Sequence, residues 1–178
     1  MDSTSRNPSE PRREDLQASA AVAKIRDLAR RAKDCFFVTR DPTGGTISAR
    51  PMNVRRVDDE GNLWFLSADD SHKNQELERD PATQLFFQST NDADFLLING
   101  RATVVHDRTK VKQLWEPTLI TWFPGGVEDP RITAIKVAPV DGYYWDTKGG
   151  DALAGVKMLL GAALKKPAND SVEGSLSV

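Results

Sequence analysis

The feature that most constrains this chain is the punctuation between Cys35 and Trp145. Short β-branched and aromatic runs alternate with turn signals about every ten residues, the rhythm of a small all-β domain. The runs are Cys35–Arg40, Ile47–Val57, Leu63–Ala68, Thr83–Ser89, Phe95–His106, Ile132–Val137 and Gly142–Trp145. Between the first three stand Asp41-Pro42-Thr43-Gly44-Gly45 and Asp58–Asn62, where proline presets one dihedral and glycine permits positive φ. Gly100, inside the longest run, predicts a bulge or bend. Six or seven antiparallel strands with helices inserted between them point to a small β-barrel rather than a βαβ sheet.

The flanks read differently. Met1–Glu14 is polar and proline-bearing, which predicts a disordered tail. Asp15–Lys33 places Leu16, Ile25, Leu28, Ala29 and Ala32 near one helical face, with Arg26, Arg30 and Arg31 on others. A short helix over Lys73–Arg79 starts after Ser71 as N-cap and stops at Asp80-Pro81. Asp107 caps a second short helix over Thr109–Trp115, and Glu116–Pro130 is a Pro- and Gly-rich loop or short helix. The barrel domain is thus expected over residues 15–147. Residues 148–178 would form a linker at Lys148-Gly149-Gly150, a helix over Asp151–Lys166 and a tail from Pro167.

Several functions are disfavoured. A net charge of −2 offers no basic face for nucleic acid. The longest apolar run, Met158–Leu164, is far short of the ~20 residues that span a bilayer. The first residues carry no apolar signal-peptide core, and a single cysteine, Cys35, fits a reducing cytoplasm. One cysteine and two histidines make a poor metal-ligand set, and neither GxGxxG nor a Walker lysine loop is present.

The residues that could carry chemistry cluster between Ser48 and Lys73. A helix opening near Ser71–His72 presents free N–H groups and the positive end of its dipole, a ready anion site. Lys73 puts a cation in that first turn, where the dipole disfavours it, unless an anion comes to meet it. Arg50 can add a forked pair of donors. Pro51 suits a strand edge with main chain free to face a ligand, and Met52 is a soft surface for a flat ring. Gln88 and Ser89 end an aromatic strand within reach of a ligand. The tryptophans at 64, 115, 122 and 145 suit pocket walls and interfaces. Each of these residues alone also fits a plain role as surface cation, edge strand or core anchor. Together they suit a flat aromatic ring with a phosphate tail.

Read in order, SARPM, LWFLS, SHKNQELERDP, FFQST, INGRATVVHDRTKVKQLWEP, WFPGGVEDPRI and YYWD follow a known pattern. From Leu16 to Asp146 the chain resembles the general stress protein 26 group. That group lies within the pyridoxamine 5′-phosphate oxidase-like, FMN-binding split-barrel superfamily. The resemblance implies a split β-barrel and a homodimer with flavin mononucleotide at the subunit interface. Lys73, helped by His72 or Ser71, and Arg50 would take the phosphate. Main chain around Met52 and around Phe65, Leu66 and Ser67 would face the ring. Gln88 would reach the flavin, across the dimer in one arrangement, and Trp115 and Trp145 would wall the pocket. The chain departs from the oxidase proper at His72-Lys73, where the oxidase has an Arg-Lys pair. It departs again at GYYWDTKGG, which lacks the oxidase's substrate-binding arginine and histidine, arguing against pyridoxamine oxidation.

Three readings follow. The chain is a cytoplasmic flavin-dependent oxidoreductase, or a non-catalytic flavin-binding stress or sensor protein. On the third, the same scaffold holds pyridoxal phosphate, a deazaflavin or haem.

Overall fold

The computed structural model describes residues 11–40, 47–89, 94–147 and 171–178. The expected turns at 41–45 and 91–94 lie wholly or mostly outside these residues, as do the 148–150 linker and the Asp151–Lys166 helix. The described elements are β1 (Arg12–Arg13), β2 (Leu16–Gln17), α1 (Ala18–Ala32), β3 (Asp34–Arg40), β4 (Ile47–Asn53), β5 (Arg56–Val57) and β6 (Leu63–Ala68). They continue with α2 (His72–Arg79), β7 (Ala82–Gln88), β8 (Phe95–Val105), α3 (Arg108–Leu114), β9 (Ile132–Thr147) and β10 (Ser171–Ser177). Two 3₁₀ turns, Pro117–Thr121 and Gly126–Glu128, cross from α3 to β9.

All ten strands belong to one sheet. Three of them are only two residues long, so the seven longer strands match the expected number. The sheet is mixed rather than wholly antiparallel, because β1 and β2 run parallel to β10. The expected meander also breaks. β3 and β4 form the predicted hairpin, but β6 pairs along its length with β9 and meets the preceding chain through the two residues of β5 rather than through β4. The run expected as one strand over Ile47–Val57 is two, β4 and β5, separated at Val54-Arg55.

β9 explains how one sheet curls. Its first half pairs with β6 and with the end of β8; its second half pairs with the start of β8 and with β10. Two strands expected from the sequence are therefore one. The register between β8 and β9 slips at Asn99/Gly100, the predicted bulge. A β-carbon at Gly100 would lie 2.8 Å from the carbonyl oxygen of Ala138, so the bulge requires glycine. Bulges bend strands and deepen twist, which turns the sheet back on itself.

The core fills the curl. Phe37 stands edge-on to Phe65 at 5.2 Å, and Leu85, Ile98, Ile135 and Val137 are buried around them. α1 lays Ala21, Ile25, Leu28 and Ala29 onto this core, close to the face expected from its periodicity. Both ends differ from expectation. Arg12–Arg13 and Ser171–Ser177 are strands, not tail, because β10 buries Val172 and Leu176 and the N-terminal segment pairs along it. No described helix is long and apolar enough to cross a membrane.

Candidate functional site

The sheet is split between β4 and β6. β4 has a ladder on its β3 side only, and the two-residue β5 alone bridges to β6. The phase of the open edges follows from two hydrogen bonds. The Arg55 N–H donates to the Trp64 carbonyl at 2.8 Å, and the Val54 N–H donates to the Lys33 carbonyl at 2.8 Å. Main-chain groups alternate sides along a strand. Pro51 and Asn53 therefore turn theirs to the gap, and Leu66 turns its own to the same gap from β6. Met52, Phe65 and Ser67 turn theirs to β3 and β9. Of the main chain expected around Met52 and around Phe65–Ser67 to face a ligand, the groups turned to the gap are those of Pro51, Asn53 and Leu66.

A cavity of about 490 Å³ occupies the gap. Arg50, Pro51, Met52, Leu66, Ser67 and Lys73 line it, so six expected residues meet there. Asn53, Leu119, Trp122 and Phe123 line it as well. The last three come from the turn after α3, which folds back over the split. Trp122 is 76% exposed, an unusual state for so large an apolar ring.

The cationic corner is built by α2. Ser71 is its N-cap, yet the hydroxyl caps no backbone N–H. It lies 3.1 Å from the Ser67 hydroxyl, donates to Asn74 Oδ1 at 3.1 Å and accepts from Lys73 Nζ at 3.1 Å. Asn74 is buried and donates to Thr133 Oγ1 at 3.0 Å, while Ser67 Oγ donates to Asn74 Oδ1 at 2.8 Å. These bonds pin the start of α2 to β6 and β9. Arg50 donates to Thr39 Oγ1 at 2.8 Å and to Glu76 Oε2 at 3.1 Å, and the Thr39 hydroxyl donates to Glu76 at 2.5 Å. Lys73 makes no ion pair with a carboxylate among the described residues. Burial lowers its amine to about 8, Arg50's charge adds to the shift, and Asp70 and Glu76 oppose it. A half-buried ammonium held beside a guanidinium is an arrangement that an anion relieves.

The remaining expected residues lie elsewhere. Phe65 is fully buried in the core. His72 is exposed at the start of α2 and does not line the cavity. Trp115 stands behind the wall, its ring 6.4 Å from that of Phe123. Gln88 and Trp145 are on the outer face of the sheet, lining a second cavity of about 790 Å³ with Phe36, Phe86 and Phe95. Pro51 and Asp34 border both cavities, so the outer face runs up to the mouth of the split. Register aligns Pro51, Phe36, Phe86, Leu97 and Tyr143 in one row across β4, β3, β7, β8 and β9. A polar row flanks it, with Gln84 donating to Asn99 at 2.8 Å and Asn99 to Asp141 at 2.6 Å. An apolar band with a polar rim is the anatomy of a protein interface.

Comparison with known proteins gives the family and the fold. The family described as pyridoxamine 5′-phosphate oxidase like matches residues 20–169. Protein bli-3 of Neurospora crassa is 30% identical over 133 residues, which span 68% of this chain and 64% of that protein. A crystal structure of a general stress protein 26 from Jannaschia sp. CCS1 superposes with a TM-score of 0.75 at 18% identity, covering 90% of this chain and 99% of that one. A pyridoxamine 5′-phosphate oxidase-related, FMN binding protein from Nostoc punctiforme superposes at 0.57 with 16% identity, covering 72% of this chain and 81% of that one. The two crystal structures speak for the split-barrel fold.

Proposed function

The chain belongs to the pyridoxamine 5′-phosphate oxidase-like family, and on that premise we propose that it binds flavin mononucleotide in the split between β4 and β6. The observation that carries this reading is Lys73, an ammonium without a carboxylate partner among the described residues, facing the same cavity as Arg50 and Met52. The donor set fits the group: a phosphate would meet Lys73, the Ser71 hydroxyl and the first N–H groups of α2, with Arg50 alongside. The volume of the cavity lies within the range of small-ligand pockets.

Each wall has a task on this reading. Leu66 main chain, with that of Pro51 and Asn53 opposite, supplies hydrogen bonds to the polar edge of a ring. Met52 lies against its face, and Trp122 and Phe123 exclude water from the other side. Gln88 and Trp145 reach a ring from a second copy of the chain, docked on the apolar outer face that borders the split. The site is thereby a dimer-interface site. Bound flavin supplies hydride and single-electron transfer, with the protein contributing binding, orientation and electrostatics. We assign the chain a flavin-dependent oxidoreductase role of this kind, stress-linked and in the cytoplasm, where the buried Cys35 stays reduced. Burial pushes that thiol to about 12, so it takes no part.

Titration of flavin-free protein with FMN, riboflavin, FAD and pyridoxal phosphate tests the proposal. FMN should bind tightest. Lys73→Ala should weaken FMN by about 10- to 100-fold, the worth of roughly 1.5–3 kcal/mol for a charge-assisted contact, and leave riboflavin nearly unchanged. Equal losses for both ligands would remove Lys73 from the phosphate role, and no flavin binding would sink the proposal. Reduction of the bound flavin by a nicotinamide donor separates an oxidoreductase from a non-catalytic holder.

A further inference from the structure

We propose a second ligand site, for the phosphoryl groups of a polyanionic small molecule, where the end of α1 meets the segment joining β4 to β5. A cavity of about 480 Å³ lies there, distinct from the split. Arg30, Lys33, Arg55 and Arg56 line it, and Glu116 is the one carboxylate in its lining.

Arg55 carries the inference. Its side chain is 8% exposed. It forms an ion pair through Nη2 with Glu116 and donates from Nη1 to Asn53 Oδ1 at 2.6 Å. Its Nε–H is buried and has no acceptor among the described residues, so an anion in the cavity meets it once the guanidinium turns outward. A buried guanidinium donor without a partner costs free energy, and an anionic oxygen is the acceptor it best matches. Arg30, Lys33 and Arg56 stand exposed around it, none within ion-pair distance of a carboxylate among the described residues.

The opposing charges are smaller. The C-terminal end of α1 presents about half a negative charge, and Glu116 presents one. Against four cations, these leave the cavity clearly positive. One ordinary phosphate needs two or three donors; four cations in one cavity suit a diphosphate better. Asn53 borders both this cavity and the split, donating to Asp34 at 2.8 Å on one side and accepting from Arg55 on the other. A molecule anchored here by its phosphates extends into the split. The four cations line this cavity whether or not the split takes flavin.

The test follows the Arg55 Nε–H resonance of ¹⁵N-labelled full-length protein during titration with pyrophosphate. A saturable shift is expected, with affinity falling as salt rises. The double variant Arg30→Gln/Arg56→Gln changes only exposed side chains and should bind about tenfold or more weakly, roughly 1.4 kcal/mol. If the Arg55 Nε–H stays still while amides at the start of α2 move, the anion binds in the split and the proposal fails. Equal affinity in the double variant, or a shift that never saturates, overturns it as well.

Discussion

At the scale of single residues, Lys73 makes the split pH-sensitive. Its amine sits near 8 rather than 10.5, because burial disfavours the charged form. On the flavin reading proposed above, the ammonium is present below about 8 to meet a phosphate; above it the flavin-free protein must first take up a proton. FMN affinity should therefore fall as pH rises through about 8, and FMN binding near pH 8–9 should be accompanied by proton uptake. Riboflavin affinity should stay flat across the same range. Calorimetry in buffers of different ionisation enthalpy reads the proton directly. Lys73→Arg should abolish the pH dependence, since a guanidinium remains charged throughout. A pH slope that persists in Lys73→Arg would assign it to another group. Folding responds in the opposite sense. The unfolded chain holds the proton up to about 10.5 while the folded one releases it near 8, so this residue's burial penalty is present below 8 and relieved as pH rises above it.

At the scale of elements, β10 is the clearest case of structure decided by contacts. The N-terminal segment crosses it closely: the Glu14 N–H donates to the Glu173 carbonyl at 2.8 Å, and Tyr144 donates its hydroxyl proton to the Glu14 carbonyl at 2.8 Å. A β-carbon at Gly174 would lie 1.9 Å from that same carbonyl oxygen. Gly174→Ala should thus cost about 3 kcal/mol, the upper end for overpacking, because the obstruction is backbone and cannot swing aside. Urea denaturation measures this, and an unchanged midpoint would show that the crossing is not held. The sequence hid this strand for a physical reason. Ser171–Ser177 alternates inward Val172, Gly174 and Leu176 with polar residues, but a central glycine and only two apolar side chains leave composition indistinguishable from a tail. α1, β3, β6 and the Gly100 bulge were legible because periodicity and turn chemistry are local. Arg50, Met52 and Lys73 were legible as neighbours because they flank one stretch of chain. Trp122 and Phe123 were visible as a motif, yet their return over the split depends on α3 packing Val111 and Leu114 onto β6 and β9. Gln88 and Trp145 lie on the outer face because strand parity, set by long-range register, puts them there.

At the scale of the whole molecule, the outer sheet face carries an exposed apolar row. Phe36 is 58% and Phe86 43% exposed, and they are direct cross-strand neighbours at the centre of the apolar row. Exposed rings in register, rimmed by hydrogen-bonded polar side chains, gain by being covered. A second copy offers the same row, and a two-fold axis through it would bring each chain's Gln88 and Trp145 toward the other's split, since Pro51 belongs to both surfaces. Phe36→Asp/Phe86→Asp should leave the fold intact, because exposed substitutions usually shift stability by no more than about 0.5 kcal/mol. Carboxylates at the centre of a dry interface cost several kcal/mol in desolvation, enough to move a micromolar dimer to monomer. Sedimentation should then find the natural chain dimeric and the variant monomeric. Flavin titration of the same samples should find the monomer about tenfold or more weaker, roughly 1.4 kcal/mol for the lost cover. A monomer that retains full flavin affinity would mean that Lys73, Met52 and Trp122 of one chain complete the site alone.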